Sequence, residues 1–184
     1  DRYDEALAAA DDALQLIPYF RPAVQSRGHL LTLMGRDEEA FAFLHEAARH
    51  IESSAVYWHL AGIHFERDEF GQLKECLQKF EEYSPLLEGY VAKSFHNLRS
   101  FLAYQERDDA AAIMWARKSI DKVMHKVADR LEDPERKDRK RVILPVGFVR
   151  QHHMTCVPAT LTTISKYWNR KAEHLQVADE ICYN

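Results

Sequence analysis

"YDEALAAADDALQLIP" (residues 3–18) lines up with "DEEAFAFLHEAARHIE" (37–52) at a shift of 34 residues. Ala6 then falls on Ala40 and Ala13 on Ala47, and further along Gly28 falls on Gly62 at the same shift. A third copy closes at Pro85, one residue short of the period, and a fourth runs through 90–120 without the glycine. A fixed period of this length is the mark of stacked helix–turn–helix units, each too small to bury its own apolar face. The small residues Gly28, Gly62, Ala6 and Ala40 are expected to let antiparallel helices approach, with Trp58 and Phe65 filling the space beside them. Pro18 and Pro85 are expected to end helices where one unit hands over to the next.

Composition agrees with a packed helical protein. Among 184 residues, 46% are apolar and 29% charged, the balance of a soluble globular chain. No apolar run is long enough to span a bilayer, and cytoplasm is the expected location. Residues 1–131 hold 16 Lys and Arg against 22 Asp and Glu, while 132–184 hold 9 against 7. Neither part is basic enough for a nucleic-acid footprint. Cys76, Cys156 and Cys182 lack paired spacing, so neither a disulfide framework nor a zinc site is expected. No cofactor is expected either.

With Trp58, Gly62 and Phe65 in the first helix of a unit and Ala6, Ala13 and Pro18 in the second, residues 1–131 strongly resemble the tetratricopeptide repeat. That resemblance implies a mainly α fold, an α-solenoid that starts inside the second helix of a unit. It also implies a protein or peptide ligand held on the concave face. On the family's pattern that face takes Gln25, His29, His59, Ile63, Arg67, His96 and Arg99. Its three histidines would make binding sensitive to pH. Members that grip a C-terminal carboxylate use Lys and Asn where this chain has Gln25 and His29, so that specificity does not carry over.

The grammar then changes. "RLEDPERKDRKR" (130–141) is almost purely charged, and 132–141 reads as a solvated linker. "VILPVGFV" (142–149) reads as a short edge strand or loop. "CVPATLTTISKYW" (156–168) spaces Val157, Leu161, Ile164 and Trp168 as one helical face, and a second helix with Leu175, Ala178 and Cys182 on one side follows. Thr155 is a suitable N-cap and Pro158 is tolerated in a first turn, which puts Cys156 at a helix N-terminus. Such a terminus favours thiolate. Gln151, five residues upstream, is placed to share an oxyanion with the Cys156 backbone N–H.

The stretch "VGFVRQHHMTCVPATLTTI" (146–164) resembles the start of the papain-like cysteine peptidase domain that clips double-glycine leader peptides. The resemblance covers 142–184 and implies an α+β domain with Cys156 as nucleophile and Gln151 in the oxyanion hole. Its catalytic His and Asp or Asn would lie beyond residue 184, so this stretch alone is expected to be inactive. The family's acidic and glycine neighbours of the nucleophile are replaced by Thr155 and Val157. That leaves open a non-enzymatic adaptor whose peptidase-like part only docks. His152 and His153 read as loop residues, a metal held by His153 and Cys156 lacks further ligands, and Cys76 and Cys182 read as core.

Overall fold

A computed structural model describes residues 2–136, 144, 146–150 and 155–182. Among these, ten α-helices form and no strand does. They are α1 (Tyr3–Leu16), α2 (Arg21–Leu33), α3 (Asp37–Ala47), α4 (Ser54–Glu66), α5 (Phe70–Tyr83), α6 (Gly89–Gln105), α7 (Asp109–Lys118), α8 (Lys122–Glu132), α9 (Cys156–Tyr167) and α10 (His174–Ile181). A single 3-10 turn, Pro134–Arg136, follows α8. Two compact units emerge from the contacts: residues 1–65 with 70–137, and residues 66–69 with 138–184.

In the first unit the helix ends are written in the sequence. Pro22 stands in the first turn of α2, where its missing N–H costs nothing. Asp37, Glu38 and Glu39 open α3 and complement the positive end of its dipole. Asp108 accepts a hydrogen bond from the Ala111 N–H at 2.9 Å, and Asp121 from the Val123 N–H at 3.0 Å, capping α7 and α8. Pro18 and Pro85 each stand two residues past the end of a helix, α1 and α5.

The turns after α2, α4 and α6 share one device. Each contains a left-handed residue: Gly35 at φ 72°, Asp68 at 57° and Arg107 at 63°. Behind two of them the chain closes with long backbone bonds, Arg36 N–H to Leu31 O at 2.8 Å and Asp108 N–H to Ala103 O at 2.9 Å. This is the left-handed helix stop, and only the first copy uses the glycine that makes it cheap.

Packing joins the helices across these turns. Leu44, Leu60, Leu73, Leu77, Phe80 and Phe95 are buried in one core. Trp58 of α4 lies against Phe80 of α5 with ring centres 4.7 Å apart. Thr32 of α2 and His59 of α4 share a 3.0 Å hydrogen bond, and Phe65 of α4 meets Phe101 of α6 edge-on at 5.3 Å. The buried Ser100 hydroxyl donates to the Ala112 carbonyl at 2.8 Å, pinning α6 to α7.

The small-residue expectation divides. A Cβ on Gly28 would lie 2.7 Å from Leu44 Cδ2, so the glycine permits close approach of α2 and α3. Ala40 is fully buried. A Cβ on Gly62 would meet nothing within 4 Å, and Ala6 is exposed. These two do not serve packing, because in each case the helix face that carries them is open.

The second unit corrects the reading of its helices. Val157, Leu161, Ile164 and Trp168, expected as a packed face, are 42–68% exposed. The buried residues of α9 are Pro158, Ala159 and Thr162, and of α10 Ala178. The side that α9 buries is thus the one with the smaller side chains, not the one with the most apolar residues. Leu175 is likewise exposed and Cys182 half-buried. Where a strand or loop was expected over 142–149, the described residues 144 and 146–149 form neither helix nor strand. Of the expected linker 132–141, Glu132 ends α8 and Pro134–Arg136 form the 3-10 turn, while 137–141 lie outside the described residues.

Candidate functional site

Two open pockets mark the face made by α2, α4 and α6. One, about 350 Å³, is lined by Gln25, His29, Ala55, Trp58, His59 and Gly62. The other, about 380 Å³, is lined by Trp58, Phe65, Ser94, Asn97, Leu98 and Phe101. Trp58 belongs to both, so its indole forms the ridge between them. Among the described residues no Asp, Glu, Lys or Arg lines either pocket.

Of the residues expected on the binding face, Gln25, His29 and His59 come together in the first pocket. Ile63 does not join them; it is 5% exposed and belongs to the core. His96 and Arg99 turn toward α7 and α5 instead. His96 stacks on Trp115, with an interplanar angle of 27°, and burial holds its imidazole below the usual histidine range. The Arg99 guanidinium lies over the Phe95 ring at 5.2 Å and pairs with Glu81 at 3.0 Å. Arg67 is half-buried in the turn after α4 and lines neither pocket.

Sequence reasoning missed the aromatic half of the groove. Trp58 and Phe65 carried the repeat pattern and so read as packing residues, yet each shows one side to the core and one to a pocket. Phe101, Leu98, Asn97 and Ser94 lie in the fourth copy, where the glycine that marks the register is absent.

In the second unit, Cys156 is the first residue of α9 and is exposed. Thr155 holds the N-cap position, but its hydroxyl makes no capping hydrogen bond. The first-turn N–H groups are therefore not occupied by that side chain. A ring nitrogen of His174, at the start of α10, lies 3.4 Å from the Thr155 carbonyl oxygen. Nothing in the spacing of the sequence pointed to His174. Gln151, His152 and His153 lie outside the described residues.

The other two thiols differ from this one. Burial pushes the Cys76 thiol up to about 11, as suits a core residue. Cys182 caps the end of α10. Among the described residues no group of three His, Cys, Asp or Glu side chains is placed to hold a metal ion. Nor is any helix among them long and apolar enough to cross a membrane. Compared with protein-family models, curated proteins and solved structures, the chain matches none.

Proposed function

We propose that the chain is a peptide-binding scaffold of tetratricopeptide type, joined to a segment of cysteine-peptidase type. The observation that carries the binding reading is the pair of pockets sharing Trp58 across α2, α4 and α6. A groove with aromatic walls and a few polar groups is what recognition of a peptide chain asks for. The 34-residue period and the recurring turns at Gly35, Asp68 and Arg107 support the repeat assignment. Slowed amide exchange in α2, α4 and α6 on addition of synthetic peptides tests this reading. Protection confined to other helices would sink it.

A second reading concerns Cys156. Its exposure at the first position of α9 supports a nucleophilic role in a cysteine-peptidase-like domain, with Gln151 as the oxyanion donor. In acyl transfer the thiolate would attack the substrate carbonyl carbon. The C–N bond would break as an acid–base histidine of the kind such domains carry protonates the leaving amine, and water would then hydrolyse the thioester at Cys156. In the competing adaptor reading the same segment only docks a partner, and the cysteine is an ordinary surface thiol. Iodoacetamide separates the two. At pH 6 a nucleophilic Cys156 is expected to alkylate about tenfold or more faster than glutathione, since only the thiolate reacts. Equal rates would favour the adaptor.

A further inference from the structure

Gly62 sits inside α4, where glycine weakens a helix relative to alanine. Its counterpart Gly28 has a packing reason, the Leu44 side chain 2.7 Å from the site of a Cβ. Gly62 has none, for open space surrounds that site and it forms part of the wall of the pocket beside Trp58. A helical glycine facing an open pocket lets a bound group come close to the helix backbone.

The lining also restricts what that group is. Among the described residues no Asp, Glu, Lys or Arg lines either pocket, so an ionised side chain would find no permanently charged partner there, the histidines His29 and His59 aside. Phe65, Leu98 and Phe101 offer instead an apolar seat between α4 and α6. Gln25 and His29 offer hydrogen-bonding groups for a peptide main chain.

Shape points to an extended occupant. Neighbouring helices lie roughly 8–10 Å apart, so crossing three of them takes roughly 16–20 Å. An extended peptide covers that in about five or six residues. A compact small molecule would fill one pocket and leave the other side of the Trp58 ridge empty.

We infer that the groove selects an uncharged, extended peptide segment, with an apolar side chain seated between α4 and α6 and its main chain or a small residue passing over Gly62. This rests on the peptide-binding reading above and narrows it to one class of ligand.

Fluorescence anisotropy with three pools of fluorescein-labelled decapeptides tests it on the 184-residue chain. The six central positions are drawn from Leu, Phe, Tyr, Gly, Ser and Gln in one pool. The second fixes Asp or Glu at one of these six positions in every peptide, and the third fixes Lys or Arg there. The uncharged pool is expected to bind about tenfold or more tightly than either charged pool. Gly62→Leu, whose Cβ would meet nothing within 4 Å, is expected to weaken that binding about tenfold or more, with the circular dichroism spectrum unchanged. Trp58→Ala is expected to weaken binding as well, with the stability lost through its contact with Phe80 read separately by urea unfolding. If a charged pool binds as well as the uncharged one and Gly62→Leu still weakens it, the groove stands and the ligand class falls. If no pool binds, or binding ignores both variants, the groove reading itself falls and the inference with it.

Discussion

Phe95→Ala is expected to cost the first unit about 3–5 kcal/mol of stability, the usual range for deleting a buried phenylalanine. Phe95 is 1% exposed and stands where three helices meet. Its ring lies 5.5 Å from that of Phe80 on α5 and 5.9 Å, edge-on, from that of Trp115 on α7. The Arg99 guanidinium covers its face at 5.2 Å. Truncation removes the apolar burial and the ring contacts, and leaves a cavity that three fixed helices cannot readily close. It also takes from Arg99 part of the aromatic surface on which that side chain rests. Urea unfolding followed by far-ultraviolet circular dichroism reads the loss. A change below about 1 kcal/mol would place Phe95 outside the core.

Two glycines that align in the sequence are expected to answer alanine in opposite ways. At Gly28 the new methyl would overlap Leu44, with Cδ2, Cγ and Cδ1 at 2.7, 3.1 and 3.2 Å. Leu44 is fully buried, so the whole side chain must shift inside a packed core. Overpacking of this kind costs about 1–3 kcal/mol. The gain in helix propensity returns about 1 kcal/mol, leaving Gly28→Ala neutral to about 2 kcal/mol destabilising. At Gly62 only the propensity gain applies, and Gly62→Ala is expected to stabilise by about 0.5–1 kcal/mol. Urea midpoints measured on both variants check the contrast. Stabilisation by Gly28→Ala as large as that by Gly62→Ala would contradict the close approach of α2 and α3.

The helical character of the first unit was legible because the repeat is written in small residues and prolines at fixed intervals. Its turns were legible only in part. Gly35 announces the left-handed stop after α2, whereas Asp68 and Arg107 adopt the same conformation without the residue type that signals it. The groove was harder to read. α4 buries Val56, Leu60, Ala61, Ile63 and His64, which at 3.6 residues per turn fall within an arc of about 160° with Ile63 at its edge, while the equally apolar Trp58 and Gly62 face the pocket. A helix apolar nearly all round has no polar stripe to show which side is open. That is why Ile63 passed for a groove residue.

The second unit shows the converse difficulty. Hydropathy marked one side of α9 as the packed side, but the residues it buries are Pro158, Ala159 and Thr162. Periodicity tells which residues share a face and not which face another helix can approach. The position of Cys156 at a helix start was legible from Thr155 and Pro158, through the rules for first turns rather than from hydropathy. His174 was not, because its place beside the Thr155 carbonyl depends on how the chain returns after α9.

Hydrogen–deuterium exchange of the whole chain, with and without the uncharged decapeptide pool at saturation, tests most directly whether the face of α2, α4 and α6 is the binding surface. A ligand seated on both sides of Trp58 holds these three helices together and suppresses their local opening. Slower exchange is therefore expected for amides in 21–33, 54–66 and 89–105, with α1 and α8 unchanged and the effect abolished by Gly62→Leu. Protection that appears instead on α9 and α10, or that survives Gly62→Leu undiminished, would contradict it.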